Sequence, residues 1–156
     1  MLRVTLGVIN IMTNKSLKYF FLILSILFIV NYTFFAHPSL GIGTSPGSIN
    51  LDIFHDMPLN FSETALINTG GNILLFVPWG ISVALLSKKK SRFLKVVFSG
   101  FLCSVMIELI QLFLPNRWTD INDVILNTSG SIIGYVLYVS VSYLYYKVSK
   151  NSKVNE

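Results

Sequence analysis

Charged residues are scarce in this chain of 156 residues, and they are unevenly spread. Only 12% of the residues are charged, against about 25% in a typical soluble domain. Hydrophobic residues make up 53%, and they form long runs between short clusters of charge. A soluble domain cannot accommodate such runs, because each run would have to be buried on every side. The sequence therefore predicts an integral membrane protein.

Cysteine and histidine are nearly lacking as well. The single cysteine, Cys103, excludes an internal disulfide and a cysteine-rich metal site. Asp52, His55 and Asp56 are potential ligands, but surface polarity is the better interpretation because no second cluster accompanies them. We therefore expect no metal and no cofactor. The net charge is +5, but no basic helix or aromatic platform is present, so we expect no nucleic-acid partner.

Four apolar runs are long enough to cross a bilayer, which takes about 20 residues for about 30 Å of hydrocarbon. The predicted spans are Tyr19–Ala36, Leu66–Leu86, Phe93–Leu114 and Val124–Tyr146. The predicted fold is all-α, an integral membrane bundle of four transmembrane helices. The first run also resembles a signal peptide, whose apolar core is usually about 7–15 residues. Because this run is longer, an uncleaved anchor is favoured.

The basic residues predict the orientation of the bundle. Eleven of the twelve Lys and Arg residues precede the first span, lie between the second and third, or follow the fourth. The positive-inside rule makes that side cytoplasmic, so both termini are expected in the cytoplasm. We expect three regions: an anchor helix with an extracytoplasmic loop at 1–65, a three-helix region at 66–146, and a polar, frayed cytoplasmic tail at 147–156.

Glu108 is the only acidic residue inside a predicted span. A charge in the hydrocarbon costs about 2.5–3.5 kcal/mol on the insertion scale, so such a residue is a functional hypothesis by default. Its spacing places it on one helix face with Gly100, Ser104 and Gln111. The alternative interpretation is a structural ion pair with Arg117, in the short turn between the third and fourth spans.

The second span carries a comparable face. Its members recur every four residues and are Asn68, Asn72, Phe76 and Gly80. Pro78 removes a backbone donor and should kink or loosen the helix. The alternative interpretation of Asn72 is a hydrogen bond to a neighbouring backbone.

A third polar face lies at the start of the fourth span. Asp120, Asp123 and Asn127 follow one another at intervals of three and four residues. Gly130 and Gly134 then form a G-x-x-x-G pair. Asp120 could serve only to cap the helix, and the glycines could serve only to pack it.

Three helices thus direct polar side chains into the outer half of one bundle. We predict a ligand-binding cluster composed of Asn72, Glu108, Gln111, Arg117, Asp120, Asp123 and Asn127. The structural residues expected around it are Pro78, Gly80, Gly130 and Gly134. Arg117 can pair with a carboxylate or phosphate, and the acidic residues can accept an amine.

The same residues carry a family resemblance. The segments Asn72–Gly80 (NILLFVPWG), Glu108–Gln111 (ELIQ) and Arg117–Gly134 (R-x-x-D-x-x-D-x-x-x-N-x-x-G-x-x-x-G) are similar to those of the VanZ-like family, over roughly residues 68–138. The family's namesake is a teicoplanin-resistance protein. Trp118 and Asn122 are not carried over. The resemblance implies a small multi-pass protein of the bacterial cell membrane, with some relatives raising resistance to teicoplanin.

Three functions are compatible with these observations. The leading hypothesis is a non-enzymatic protein that binds an extracytoplasmic glycopeptide-type ligand or a lipid-linked envelope precursor. The alternative is a membrane enzyme that modifies such a precursor with Glu108 as general acid or base, although the sequence shows no nucleophile. The third is a structural partner in the bilayer. A homo-oligomer is compatible with all three, and transport is not favoured because we find no repeat in the sequence.

Overall fold

The computed structural model describes residues 14–34, 48–51, 63–113 and 118–154, and almost all of them are helical. The elements in chain order are α1 (Lys15–Phe34), β1 (Ser48–Asn50), α2 (Glu63–Leu86), a short 3-10 turn (Lys89–Ser91), α3 (Arg92–Gln111), β2 (Trp118–Asp120) and α4 (Ile121–Val154).

All four helices are long and apolar enough to cross a membrane, which confirms the predicted integral membrane bundle. The apolar spans are Lys15–Thr33, Leu66–Leu86, Lys89–Gln111 and Ile121–Asn151, and the third of them includes the 3-10 turn before α3. The second span has the predicted bounds. The first begins before the predicted Tyr19, and the third helix ends before the predicted Leu114.

The prediction of a frayed tail from Lys147 was wrong for most of that segment. Helix α4 continues to Val154 and is 34 residues long. At about 1.5 Å per residue it measures about 51 Å, well beyond the hydrocarbon thickness. From Lys147 to Val154 the helix contains neither glycine nor proline, and lysines near a helix C-terminus are favoured by the helix dipole.

The four helices alternate in direction, so α2 and α4 run parallel. The Tyr32 hydroxyl near the end of α1 lies against Gly71 in the first half of α2. At the opposite end, the Arg92 guanidinium lies 4.8 Å from the ring centroid of Tyr138. We call the end formed by β1, β2 and the starts of α2 and α4 the strand end. The other end, which holds Lys88, Lys89, Lys90 and Arg92, is the basic end.

Strands β1 and β2 pair in parallel at the strand end. The register places Ser48 opposite Trp118, Ile49 opposite Thr119 and Asn50 opposite Asp120. Parallel strands need a long crossover, which α2 and α3 supply here. The pairing was not predicted, because a strand of three residues has no hydrophobic period to detect. It ties the loop before α2 to the start of α4.

The described elements form two helix–strand–helix units, α1–β1–α2 and α3–β2–α4. Helices α2 and α4 make the most extensive contact, and α1 and α3 pack mainly on α2 and α4 respectively. The two units share the same order of elements, although we find no repeat in the sequence. The contact between α2 and α4 is therefore the main interface between the two units.

Glycines allow α2 and α4 to approach closely. A Cβ atom on Gly130 would lie 2.1 Å from the carbonyl oxygen of Ile73, and one on Gly134 would lie 2.2 Å from that of Val77. A Cβ atom on Gly80 would in turn lie 2.1 Å from the carbonyl oxygen of Ser131. Such spacing suits Cα–H to carbonyl contacts between helices. Helix α2 is continuous through Pro78.

The interior of the bundle is unusually polar. Ile29, Leu75, Phe76 and Ile107 form a small apolar core. The buried polar residues are Ser25, Ser82, Ser104, Glu108, Gln111, Asn122, Asn127 and Ser131. Large apolar side chains cover the outside instead, as expected where lipid is the solvent. Among the buried polar residues, Asn127 and Ser104 form a hydrogen bond between two helices.

Candidate functional site

The carboxylate of Glu108 lies at the strand end of α3, and the residue is only 5% exposed. Its Oε2 atom accepts a hydrogen bond of 2.9 Å from the backbone N–H of Asp120. The side-chain amide of Gln111, oriented with its nitrogen towards Glu108, donates to both carboxylate oxygens at 3.2 and 3.3 Å. A buried carboxylate needs such donors, because removing it from water is costly.

Strand β2 also closes the end of α3. The Thr119 hydroxyl donates to the carbonyl oxygen of Glu108 at 3.1 Å, and the N–H of Leu112 donates to the same atom at 3.1 Å. The carbonyl of Glu108 thus accepts two hydrogen bonds, one that continues the helical pattern and one from β2. Glu108 is thus held by β2 through both its side chain and its backbone.

Asp120 connects three elements. Its Oδ1 atom accepts hydrogen bonds from the backbone N–H of Asn122 at 2.8 Å and from the Asn122 side chain at 3.0 Å. This is the geometry of an N-cap, so Asp120 caps helix α4. Its Oδ2 atom accepts a hydrogen bond of 3.2 Å from Asn50 of β1. The capping role and the link to β1 thus use different oxygens of one carboxylate.

Asn72 and Asp123 form a second contact group. The Asn72 side-chain amide donates a short hydrogen bond to Oδ1 of Asp123, across the interface between α2 and α4. Asp123 lies in the first turn of α4, where a negative charge is favoured by the helix dipole. The pair fixes the two parallel helices at their strand ends.

Asn127 lies one helical turn beyond Asp123 and is 4% exposed. Its amide nitrogen donates to the Ser104 hydroxyl of α3 at 2.9 Å. Its backbone oxygen accepts a hydrogen bond of 3.3 Å from Ser131. Its side-chain oxygen Oδ1 is buried without a hydrogen-bond partner in the described part of the chain. A buried polar atom left in that condition costs about 1–3 kcal/mol.

The contacts among the described residues divide the predicted site into smaller groups. Glu108 accepts hydrogen bonds from the side chain of Gln111 and from the backbone N–H of Asp120, and Asn72 donates to Asp123. Asn127 bonds to Ser104 instead of to another predicted residue. Arg117 lies outside the described residues, and so does its predicted ion pair with Glu108.

Sequence reasoning missed several partners in this region. Asn122 is 4% exposed and bonds twice to Asp120, although it was not carried over from the family pattern. The Asp-x-Asn spacing at a helix start was an available signal for that cap. Nothing in the sequence indicated that Asn50 and Thr119 belong to this region, because their contacts depend on the pairing of β1 with β2, which was not predicted.

Three acidic side chains at the strand end, Glu108, Asp120 and Asp123, form what we call the acidic cluster. Their carboxylate oxygens accept the hydrogen bonds described above from amide and backbone N–H groups. Among the described residues, no group of three or more His, Cys, Asp and Glu could hold a metal ion. Asp52, His55 and Asp56 lie outside the described residues. The arrangement is suited to binding a donor or a cation.

Comparison with known proteins gives one result. No curated protein and no solved structure matches the chain significantly. A family model described as VanZ/LLP1 matches residues 19–143, which overlap all four spans and include every residue of the acidic cluster. Because this match covers most of the sequence, the chain belongs to the VanZ/LLP1 family.

Proposed function

We propose that the chain is a multi-pass protein of the bacterial cell membrane that contributes to resistance to teicoplanin-type glycopeptides or other envelope-directed antimicrobials. It acts by binding an extracytoplasmic or lipid-linked ligand at the strand end. The binding residues are Asn72, Glu108, Gln111, Arg117, Asp120, Asp123 and Asn127. Membership of the VanZ/LLP1 family supports the proposal.

The observation that carries the proposal is the buried carboxylate of Glu108 beside Asp120. An apolar replacement of a buried charged group is often neutral or stabilising, so packing alone gives little reason to keep one. In a helix bundle surrounded by lipid, packing gives even less reason to keep an ionisable group, because placing such a group within the membrane costs free energy. Glu108 and its donors are therefore best explained by a ligand.

The basic end supports placing the site outside the cytoplasm. Lys88, Lys89, Lys90 and Arg92 lie at the opposite end of the bundle from the acidic cluster. By the positive-inside rule the basic end is cytoplasmic, so the strand end faces outward. Ligands of the envelope approach from that side.

Resistance assays on Glu108 variants test the proposal. A strain lacking the gene is complemented with wild type, Glu108→Gln or Ser129→Ala, at equal amounts in the membrane. Ser129 is the matched control, because its hydroxyl bonds to the carbonyl of Ile125 in its own helix. We expect Glu108→Gln to lower resistance to teicoplanin or a cationic peptide several-fold and Ser129→Ala to leave it unchanged. Full resistance in Glu108→Gln would refute the binding site.

Lipid analysis of the same strains separates binding from chemistry. Under the proposal, cells with and without the gene have the same lipid-linked precursors. An altered precursor that disappears with Glu108→Gln would instead favour the enzyme hypothesis.

A further inference from the structure

The side chain of Arg92, at the start of α3, is held in a fixed position at the basic end. Its Nε and Nη2 atoms both donate to the carbonyl oxygen of Ser87, at 3.3 and 3.1 Å. Its guanidinium lies 4.8 Å from the ring centroid of Tyr138 on α4, within the range of a cation–π contact. Arg92 is half-buried, so part of it remains accessible. These contacts make the guanidinium a preorganised cation at the surface.

One edge of the Arg92 guanidinium has no partner in the part of the chain that the structure describes. Arginine has five N–H donors in a planar fork, and the bonds to Ser87 use the edge formed by Nε and Nη2. The edge formed by Nη1 and Nη2 is a second place where two parallel hydrogen bonds can form. Phosphate and carboxylate oxygens match that geometry.

The charges around Arg92 are all positive. Lys89 and Lys95 lie three residues before and after it in the sequence, and both are exposed. Neither Asp nor Glu occurs among the described residues of the basic end, which are 14–18, 87–95 and 147–154. No described acidic side chain neutralises the lysines, so the complementary ligand is an anion.

Apolar side chains close to Arg92 along α3 indicate that this anion is an amphiphile. Leu94 is 70% exposed and Phe98 is 64% exposed, and the two lie one turn apart on the same face of α3. In a bilayer such side chains contact acyl chains. The basic residues mark the boundary of the hydrocarbon at this end, which is the level of the lipid headgroups. A soluble anion would gain nothing from this apolar surface.

We propose that Arg92, Lys89 and Lys95 form a binding site for the phosphate group of an anionic phospholipid of the same membrane. The Nη1 and Nη2 edge of Arg92 donates to phosphate oxygens, and the two lysines favour an anionic lipid over a zwitterionic one. The site lies at the opposite end of the bundle from the acidic cluster, so the inference goes beyond the proposed function and does not depend on it. By the positive-inside rule this lipid belongs to the cytoplasmic leaflet.

The test uses the purified full chain in a nonionic detergent, with dioctanoylphosphatidylglycerol as the probe. Binding is measured by titration calorimetry. Dioctanoylphosphatidylcholine is a matched probe with the same chains and a phosphate but no net charge, and inorganic phosphate has charge but no chains. We expect the phosphatidylglycerol to bind at least fivefold more tightly than the phosphatidylcholine. Inorganic phosphate at the same concentration should leave phosphatidylglycerol binding unchanged.

Two lysine substitutions with the same change in charge test the location of the site. Lys95→Gln removes a cation one turn from Arg92, whereas Lys150→Gln removes one that lies about 18 Å past Tyr138 along α4. Both lysines are exposed, so both variants should fold. We expect Lys95→Gln to weaken phosphatidylglycerol binding about fivefold, and Lys150→Gln to weaken it by less than about twofold.

Arg92→Lys tests the guanidinium edge. The substitution keeps the charge but replaces the planar fork by an ammonium group, so phosphatidylglycerol affinity should fall several-fold. The unfolding temperature of the variant, measured without lipid, reports the loss of the contacts with Ser87 and Tyr138. If Arg92→Lys does not fold, the pair Lys95→Gln and Lys150→Gln decides the question.

The inference is overturned if Lys95→Gln and Lys150→Gln weaken binding equally, because net charge alone would then explain the affinity. Equal affinity for the two lipids would refute an anionic site. Displacement of the lipid by inorganic phosphate at the same concentration would refute a lipid site in favour of a soluble ligand. A folded Arg92→Lys that binds as wild type does would refute the role assigned to the guanidinium. None of these measurements involves Glu108 or resistance, so their failure leaves the proposed function standing.

Discussion

Glu108 and Asp120 are adjacent acidic residues that meet through a backbone N–H group. The N–H of Asp120 donates to the Glu108 carboxylate at 2.9 Å, while the Asp120 carboxylate is bonded to Asn50 and Asn122. The peptide unit of Asp120 places a donor towards α3, and its side chain places acceptors towards β1 and α4.

Substitutions of Asp120 should separate its capping role from its charge. Asp120→Asn keeps an oxygen for the N–H of Asn122 but loses the acceptor for Asn50, so it should cost less stability than Asp120→Ala. Asp120→Ala removes the cap and should cost about 0.5–2 kcal/mol of unfolding free energy. Thermal or denaturant unfolding of the purified variants measures both. Equal stability of Asp120→Ala and wild type would show that the cap contributes nothing.

The orientation of the bundle can be tested with single cysteines. After Cys103→Ser, a cysteine is introduced at Ile49 of β1, which is 58% exposed, or at the exposed Lys89 of the basic end. In intact cells a membrane-impermeant maleimide should label Ile49→Cys and not Lys89→Cys, because the positive-inside rule places the basic end in the cytoplasm. Permeabilised cells provide the control, since both should then react. The opposite pattern would reverse the orientation.

The helices could be predicted from the sequence because lipid imposes a simple condition, a run of about 20 apolar residues. The face shared by Gly100, Ser104, Glu108 and Gln111 followed from helical spacing, and all four are buried. Spacing along one helix does not fix the offset between two helices, however. The bond between Asn127 and Ser104 was therefore not predicted, although both faces were.

The strand end was beyond sequence reasoning for a different reason. Asn50 and Asp120 are separated by 70 positions, and their contact depends on two strands of three residues each. Neither strand shows an alternating pattern, and the segment before β1 is rich in Gly, Pro and Ser, which predicts only turns.

Two glycine substitutions should have opposite effects on stability. In Gly130→Ala the new Cβ atom would lie 2.1 Å from the carbonyl oxygen of Ile73, so α2 and α4 must separate. Overpacking of this kind costs about 1–3 kcal/mol. Gly70 is the matched control, since a Cβ atom there has nothing within 4 Å. Gly70→Ala should gain up to about 1 kcal/mol from helix propensity.

Unfolding in a denaturing detergent measures both glycine variants under the same conditions. A destabilised Gly130→Ala beside a stabilised Gly70→Ala would establish the close approach of α2 to α4. Equal behaviour of the two would show that these helices can move apart without cost.

The hydrogen bond between Asn72 and Asp123 should appear as a coupling energy in a double-mutant cycle. Asp123 has further interactions, so Asp123→Ala alone will cost more than this bond is worth. The cycle with Asn72→Ala removes those other contributions, because they are lost in both the presence and the absence of Asn72. We expect a coupling of about 1–2 kcal/mol, in the upper range for hydrogen bonds between membrane helices.

A second cycle, Asn72→Ala with Ser129→Ala, provides the control. Ser129 bonds only within α4 in the described structure, so the two changes should be additive. If the Asn72–Asp123 cycle is additive as well, the bond does not stabilise the interface. Resistance assays on Asn72→Ala would then measure ligand binding with little contribution from stability.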